Sequence, residues 1–324
     1  MRKSILLSAI ATLLALSGAG TAVLAQAPAA LAQSSAASAA APLELLVLGS
    51  GGPGAAGRAA SSYLVLVDGT ARILVDAGPG SFARLGEAKA SLSDTDIVLL
   101  THLHIDHVGE LPGLFKARAV ASSGPIVFNV WGPGESRGTK DAAYFPSTVE
   151  FLRLLFGPKG AFAYLKDFAA PITLNAHDIV NVSAELKPRE FFKQGGVAIS
   201  AITGHHGDAP AVIYRIDHAG KSITFSGDID AMGLPALRRI AKGSDLLVFN
   251  SVVLDPPGSP AILYTLHTPP QAIGQLARDV GAGALLLSHI SPAVEQAQAA
   301  VAESIRRSYG KPVTFAADGM RVRP

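Results

Sequence analysis

The decapeptide THLHIDHVGE, residues 101–110, holds three histidines and an aspartate within six consecutive positions. Only nine of the 324 residues are histidine, so a third of them fall in this stretch. It follows DIVLL (96–100), a continuous apolar run typical of a strand that is buried on both faces. Imidazole and carboxylate side chains at the end of a buried strand indicate a metal site.

The spacing within this stretch predicts how the side chains point. His102 and His104 alternate with apolar residues, so on extended backbone both project to the same side. Asp106 and His107 are adjacent and point in different directions, which suits a second metal ion beside the first. Imidazole and carboxylate are ligands for zinc, iron or manganese. The chain has no cysteine, which excludes disulfides, thiolate ligands and a cysteine nucleophile.

Three other predicted strands also stop at polar residues that can bind a metal ion. VAISAIT (197–203) precedes GHHGD, KSITFS (221–226) precedes GDID, and GALLLS (283–288) precedes HISP. Ligand sites of α/β proteins gather at strand ends, so we expect these side chains to meet at one rim.

Other segments place the chain in the α/β class. LELLVLG (43–49) reads as a strand, and residues 61–80 read as a hairpin around the turn pair Asp68-Gly69. Residues 235–242 and 269–280 read as helices.

The N-terminus has the layout of a secretory signal peptide. Two basic residues precede a short apolar run, and Val23 and Ala25 stand at positions −3 and −1 of a predicted cleavage site. We therefore expect a signal peptide over 1–25, a flexible Ala/Ser/Pro-rich linker over 26–42 and one hydrolase domain over 43–324. Cleavage would leave no stable membrane anchor and would place the protein in the periplasm or outside the cell.

The net charge of the predicted mature chain indicates which class of molecule it binds. Removal of Arg2 and Lys3 takes the 27 basic residues to 25, equal to the 25 acidic ones. A neutral mature chain has no long-range attraction for a polyanion, so we expect a small-molecule ester as the partner and no nucleic acid.

The H-x-H-x-D-H motif resembles that of the metallo-β-lactamase-fold hydrolases, and the later motifs follow that family's order across residues 43–324. LVDAGPG (74–80) matches the strand whose aspartate, Asp76 here, supports the metal loop. GHHGDAPAVIYRID, FSGDID and LLLSHISP are similar to the family's third, fourth and fifth metal motifs. The resemblance implies an α/β fold, the αββα four-layer sandwich.

The resemblance also implies a ligand set for two divalent metal ions, with zinc expected and iron or manganese as alternatives. The first ion would be bound by His102, His104 and His206, the second by Asp106, His107 and His289, and Asp228 would bridge both. His206 is preferred to His205 because related sequences place the ligand eight residues before the tyrosine of a YR pair, here Tyr214-Arg215.

Two adjacent metal ions suggest the chemistry. They lower the pKa of a bridging water from its high bulk value towards about 7 and so make hydroxide available at neutral pH. This mechanism needs no serine or cysteine nucleophile. Asp106 has a second predicted role, catalytic, in orienting that hydroxide.

His267 points to one branch of the family. It precedes Thr268-Pro269, which reads as an N-cap followed by proline at the first helical position. The arrangement resembles ribonuclease Z and its relatives, among them exported aryl- and alkylsulfatases, where the equivalent histidine assists the leaving group or the transition state. His267 is therefore predicted to be catalytic.

Two departures argue against tRNA processing. The usual ribonuclease Z continuation after the fifth metal motif, an aromatic–basic pair, is Ala293-Val294 here, and no long basic arm follows the first motif. A small sulfate ester or phosphate mono- or diester is therefore the expected substrate.

The aromatic-rich insertion, residues 135–170, holds five of the 13 Phe and two of the six Tyr. Tyr144, Phe151, Leu154 and Leu155 fit one helical face. The segment is either a helical insertion packed on the domain or in a homodimer interface, or a hydrophobic wall for an aromatic or alkyl leaving group.

Four alternative functions stay open at this point. They are a lactonase, in which Tyr264 or Tyr214 would reach the lactone carbonyl, a tRNA 3′-processing endonuclease, a di-iron redox protein and a metal-binding protein without activity. An aspartate at position 228 excludes the β-lactamases that place a cysteine there. His177 and His218 lie in polar sequence and are expected to be solvated.

Overall fold

The computed structural model describes residues 40–54, 56–136, 143–180 and 186–324. The predicted signal peptide and the predicted linker up to residue 39 lie outside the described residues, as do residues 137–142 of the aromatic-rich insertion. Residues from Ala40 to Pro324 form one unit. Within the described ranges, no helix combines the length and the apolar character that crossing a membrane requires.

The apolar runs of the described sequence form fourteen strands. In chain order they are β1 Leu43–Gly49, β2 Ser62–Val67, β3 Thr70–Ala77, β4 Ile97–Leu99, β5 Ile126–Pro133, β6 Ile172–Ile179, β7 Arg189–Gln194, β8 Val197–Thr203, β9 Val212–His218, β10 Lys221–Phe225, β11 Leu246–Asn250, β12 Ala284–Ser288, β13 Thr314–Phe315 and β14 Arg321–Val322.

Helices connect these strands. They are α1 Ser81–Glu87, α2 Ile105–Val108, α3 Leu111–Ala121, α4 Thr148–Phe156, α5 Leu234–Ile240, α6 Pro270–Asp279, α7 Pro292–Gln296 and α8 Gln298–Tyr309, with short 3-10 helices at Ala163–Asp167 and Ala261–Thr265.

The strands form two seven-stranded sheets. The first has the order β14-β1-β2-β3-β4-β5-β6 and the second the order β13-β12-β11-β10-β9-β8-β7. In the first sheet β3, β4, β5 and β6 are parallel neighbours. In the second, β10, β11 and β12 are parallel, and β8 runs in the same direction because β9 is antiparallel to both β8 and β10.

Strands inside the sheets, such as β1, β4 and β11, are buried on both faces, which explains why they read as continuous apolar runs. In β1, Leu45 and Val47 belong to the core between the sheets, where they share a cluster with Ile199 and Phe225 of the second sheet. The alternate residue Leu46 faces α1 and α3 on the other side. A third cluster lies between the second sheet and helices α5, α6 and α8. The predicted αββα four-layer sandwich is confirmed.

The predicted strands and helices fall where expected. The hairpin of β2 and β3 turns at Asp68 and Gly69, which have φ angles of 48° and 82° as a type I′ turn requires. The DIVLL stretch forms β4, which is fully buried between β3 and β5.

Three local predictions are wrong. Pro269, not Thr268, is the N-cap residue of α6, because the Thr268 hydroxyl donates instead to the backbone carbonyl of Ile229 (2.9 Å). Leu154 of α4 faces solvent, since Leu152 makes the buried contact. His218 is buried and lies 2.9 Å from the Asp68 carboxylate, because the β2–β3 and β9–β10 turns lie side by side.

Candidate metal centre

The predicted ligands lie on loops that converge at one edge of the sandwich. In the second sheet β8, β10 and β12 run in the same direction, so His206, Asp228 and His289 follow strand ends on one side. Two hydrogen bonds join the sheets beside them. The backbone N–H of Val212 donates to the Thr101 carbonyl (2.7 Å), and the Tyr214 hydroxyl donates to the Leu100 carbonyl (3.1 Å).

One carboxylate oxygen lies at the centre of the cluster. Asp228 Oδ2 is 3.3 to 3.9 Å from the nearest ring nitrogen of five imidazoles, those of His102, His107, His206, His267 and His289. Asp228 itself is 2% exposed. A single buried oxygen surrounded by imidazole nitrogens at these distances leaves room for ions between them.

The donor atoms fall into two groups whose members lie within 4.8 Å of one another. One comprises His102, His104 and His206, and the other comprises Asp106, His107 and His289. Asp228 forms a third group with His102 and His107, and so stands between the first two. The structure thus brings all seven predicted ligands together. Ligation itself stays a prediction.

The hydrogen bonds of the histidines fit a metal ion. His107 Nδ1 lies 2.8 Å from Asp76 Oδ2, while its buried Nε2 has no hydrogen-bond partner in the described part of the chain. His206 Nδ1 donates to the Leu266 carbonyl (2.8 Å) and turns Nε2 towards Asp228. One ring nitrogen held by the protein and the other directed into the cluster is the usual arrangement of metal-binding histidine.

The charge states also fit. Burial, together with the neighbouring histidines, lowers the pKa of His102 and of His104, so both rings are neutral at pH 7, as ligation requires. Burial alone would raise the pKa of Asp228, but His289 and His107 hold it well below its usual value. Burial likewise opposes the charged form of His107, yet Asp76 and Asp228 raise its pKa well above the usual value. Bound ions would take the place of that proton.

Asp76 fixes the loop that carries the motif. Its Oδ1 accepts from the backbone N–H of Thr101 (2.7 Å), and its Oδ2 accepts from the Thr101 hydroxyl (2.8 Å) and faces His107. The backbone N–H of His107 then donates to the His104 carbonyl (2.9 Å) at the start of α2. The one-turn helix α2 therefore separates the direction of Asp106 and His107 from that of His102 and His104.

The structure distinguishes the two adjacent histidines of the third motif. His206 lies in the cluster and is 2% exposed. His205 Nδ1 pairs instead with the carboxylate of Asp230 (2.7 Å), which also accepts from the backbone N–H of Met232. His205 therefore supports the loop beside the site, and the geometry favours His206 as the ligand.

His267 lies beside Asp228 in the cluster. Its Nδ1 is 3.9 Å from Asp228 Oδ2, and the residue is 8% exposed. Burial is the largest influence and lowers its pKa to about 4, so the imidazole is neutral at pH 7. A neutral imidazole in this position can donate one N–H to an oxygen of a substrate.

Two neighbours of the site were not singled out from the sequence. Phe145, from the aromatic-rich insertion, places its ring centroid 5.6 Å from that of His104. Asn250, the last residue of β11, donates its side-chain N–H to Asp228 Oδ1. The signal for Asn250 was present, since DLLVFN (245–250) is another apolar run that ends in a polar residue, but amides are uncommon ligands in this type of site.

The sequence comparisons show the family. The model of the metallo-beta-lactamase superfamily matches residues 55–258. A ribonuclease Z of Mycobacterium sp. (strain KMS) is 28% identical over 268 residues, which cover 80% of this chain and 87% of that protein.

Among solved structures, the short form of human tRNase Z superposes with a TM-score of 0.66 at 20% identity, covering 87% of this chain and 99% of that one. The metallo-beta-lactamase fold protein YhfI of Bacillus subtilis gives a TM-score of 0.64 at 19% identity, with coverage of 87% and 99%. These two similarities support the fold.

One sequence-based expectation needs correction. Neutral charge and the absence of a basic arm led to the expectation that no nucleic acid is a partner. The similarity to ribonuclease Z over four-fifths of the chain contradicts it. The physical reason is that net charge reports only long-range attraction, whereas a strand of RNA also offers a phosphodiester that fits a metal site locally.

Proposed function

Because this chain belongs to the metallo-beta-lactamase superfamily and is a metal-dependent hydrolase, we propose that it cleaves phosphate diesters. The observation that carries the proposal is the position of Asp228 Oδ2, within 3.3 to 3.9 Å of five imidazoles and between two groups of donor atoms. When bound, two divalent ions, zinc in this proposal, supply an acidified water and offset the negative charge on the phosphoryl oxygens.

The residues of the chain would bind the ions, exclude water, accept a proton and hydrogen-bond the substrate. The histidines hold the ions, and the buried floor of the site excludes bulk water from the reacting atoms. Burial opposes the ionised form of Asp106, but His289, with Nε2 at 3.1 Å, and His107 lower its pKa. The Asp106 carboxylate is therefore ionised at pH 7 and can accept the proton of an attacking water. His267 donates a hydrogen bond to a phosphoryl or leaving-group oxygen.

We propose a diester with an apolar leaving group as the small-molecule substrate. Phe145 provides an aromatic surface against His104, and Ile105, which lies between two predicted ligands, is 75% exposed. The apolar surface suits an aryl or alkyl group. A sulfate ester presents a similar tetrahedral group and is the neighbouring substrate class.

RNA is the second candidate substrate. The similarity to ribonuclease Z favours it, and its backbone offers the same phosphodiester to the site. The lactonase alternative has less support, because both candidate tyrosine hydroxyls are engaged elsewhere. Tyr214 donates to the Leu100 carbonyl in the core, and Tyr264 donates to the Leu254 carbonyl (3.0 Å).

Export is also part of the proposal. The layout of residues 1–25 supports a cleaved signal peptide and a periplasmic or secreted enzyme. Intact mass measurement of the protein recovered from a periplasmic fraction checks this, with Gln26 expected as the first residue.

The test of the function combines metal analysis with a substrate panel. We expect two zinc ions per chain, and hydrolysis of bis(4-nitrophenyl) phosphate faster than that of 4-nitrophenyl sulfate, a lactone or a cephalosporin. A tRNA precursor transcript in the same panel tests the second candidate. Less than one tightly bound ion per chain would overturn the site, and turnover of the lactone alone would overturn the substrate class.

Two adjacent histidines supply a matched pair of variants. His206→Ala removes a predicted ligand and should lower both metal content and activity, whereas His205→Ala removes the ring that pairs with Asp230 and should keep both ions. The reverse result would exchange the roles of the two histidines.

A further inference from the structure

Asn250 is the last residue of β11, between the two strands that lead to Asp228 and His289. β10 and β12 are its parallel neighbours, and Asn250 itself is in register with Ser288. Its side chain is part of the buried floor, since the residue is 6% exposed. Its amide therefore lies at the edge of the sheet where the predicted ligands gather.

The backbone fixes the position of this amide. The backbone N–H of Asn250 donates to the Ser226 hydroxyl (3.2 Å), and the backbone N–H of Ser226 donates to the Val248 carbonyl (3.0 Å). The loop that begins at Ser226 carries Asp228 and is thereby tied to the end of β11. On its other side this loop packs against Thr101, and Gly227 makes that contact feasible, because its φ is 57° and a Cβ there would lie 2.8 Å from Thr101 Cβ.

The two oxygens of the Asp228 carboxylate have different surroundings. Oδ1 accepts the hydrogen bond from the Asn250 side-chain N–H. Oδ2 is the atom that faces the imidazoles, at 3.3 Å from His289 Nε2 and 3.7 Å from the Nε2 atoms of His107 and His206. One oxygen is thus held by the protein, and the other is free for the ions.

We propose that Asn250 is a positioning residue that holds the Asp228 carboxylate so that Oδ2 faces both groups of predicted metal ligands. The inference rests on the proposed function in so far as that function requires two ions. Rotation of a carboxylate about its last side-chain bond is soft, so an external donor is needed to fix it. The amide provides that donor without a charge that would repel the ions.

The experiment removes the donor and measures metal binding. Asn250→Leu keeps the number and branching of the side-chain heavy atoms and leaves Asp228 Oδ1 without its partner. We expect the affinity for zinc, measured by competition with a chromophoric chelator, to fall by roughly 10- to 100-fold, the usual effect of losing a group that supports a metal ligand. The cobalt-substituted protein should also show a changed visible absorption spectrum, because the coordination of both ions changes.

Ser251→Ala is the matched control. Ser251 is the next residue and fully buried, but its hydroxyl has no hydrogen-bond partner among the residues described. Its removal should leave the zinc affinity and the cobalt spectrum as in the wild type. Asn250→Ser is a second variant in case the leucine variant does not fold, since serine is too short to reach Asp228 and should weaken binding in the same direction.

The outcomes separate this inference from the proposed function. If the wild type binds less than one ion per chain, the proposed function fails. If it binds only one ion, Asp228 bridges no pair of ions and this inference is overturned. If the wild type binds two ions, and both Asn250 variants bind them with wild-type affinity and an unchanged cobalt spectrum, Asn250 does not position the bridge. A loss of stability in the metal-free variants with unchanged metal affinity would likewise assign Asn250 a purely structural role.

Discussion

Asp76 and His289 adopt left-handed backbone conformations, with φ angles of 55° and 54°. Such conformations are unfavourable for residues with a Cβ and are kept only where the surroundings fix them. For Asp76 these surroundings include the Thr101 hydrogen bonds, and for His289 they include the Asp106 and Asp228 carboxylates. The backbone is therefore strained at two residues of the site, and these residues keep their conformation only if their neighbours pack closely against them.

Gly52 is such a neighbour. A Cβ at this position would lie 2.5 Å from His289 Cε1, whereas a Cβ at Gly54 would meet nothing closer than Pro292 Cγ at 3.8 Å. We expect Gly52→Ala to displace the His289 ring, to lower the free energy of unfolding by about 1–3 kcal/mol and to reduce zinc content.

Gly54→Ala is the control and should change stability by less than about 0.5 kcal/mol. Thermal unfolding and metal analysis measure both variants. Equal metal content and equal melting temperature in the two would contradict the packing role of Gly52.

His267 is predicted to act on the substrate and not to hold an ion. His267→Ala should lower turnover by about 10²-fold, the effect of losing one donor to a developing negative charge, while both ions stay bound. Because burial lowers the pKa of this imidazole to about 4, it is neutral throughout the range from pH 6 to 9. The ratio of wild-type to variant turnover should therefore be constant over that range.

Metal analysis of the His267→Ala protein distinguishes the roles. Loss of an ion would make His267 a ligand, which its grouping with His206 and Asp228 within 4.8 Å would then explain. A ratio that falls as pH rises would assign it an acid role instead.

At the scale of elements, the direction of each strand determines which loop side chains lie at the site. β8, β10 and β12 end on one side because they run in one direction, and the loops after them each begin within a few residues of a predicted ligand. The segment leading into α4 follows β5 of the first sheet, and it brings Phe145 against His104. The backbone of Phe145 is held by Ser136, whose N–H donates to the Phe145 carbonyl (3.0 Å) and whose carbonyl accepts from the Phe145 N–H (3.4 Å).

Phe145→Ala tests the contribution of this segment to substrate binding. We expect KM for bis(4-nitrophenyl) phosphate to rise about 3- to 10-fold with kcat unchanged, because an aromatic contact contributes about 0.5–1.5 kcal/mol. Tyr144→Ala is the control, since Tyr144 is adjacent and 59% exposed. Identical kinetics for the two variants would argue against a wall for the leaving group.

At the scale of the whole molecule, the last strand of the chain pairs with the first. β14 pairs with β1, and Glu44 of β1 accepts hydrogen bonds from Arg321 and from Arg323 Nε, the latter at 2.6 Å. Burial would raise the pKa of Glu44, but these two arginines outweigh it and lower the pKa below 4.5. The C-terminal residues are thereby held to the edge of the first sheet.

The lowered pKa of Glu44 predicts a pH dependence. A carboxyl group with a lower pKa in the folded state adds stability above its unfolded pKa of 4.5, and that stability is lost as the pH falls through the folded value. Glu44→Gln should therefore lower the melting temperature at pH 7, and the difference from the wild type should disappear as the pH falls through the folded pKa of Glu44. The difference should stay under about 1 kcal/mol, because both arginines are largely exposed.

Glu87→Gln is the control for a surface pair, since Glu87 pairs with Arg84 on the exposed side of α1. Its melting temperature should stay near that of the wild type. A Glu44→Gln effect that persists unchanged at low pH would show that the charge of Glu44 is not its cause.

The sequence by itself determined the residue types of the site and the class of the fold. Both follow from local patterns, because apolar runs buried on two faces and ligands placed directly after them are properties of neighbouring residues. The position of β4 and the grouping of His102 with His104 are of this kind.

Only the tertiary structure decided which distant groups hold each side chain of the site. His206 turns into the site because its other nitrogen donates to Leu266, 60 residues away, and His205 turns aside because of Asp230. The same holds for Asn250 on Asp228 and for Phe145 on His104, while Thr268 was misread as a cap because its partner, Ile229, is also distant. Hydrogen bonds across the fold set the direction of a loop side chain, and local sequence carries no record of them.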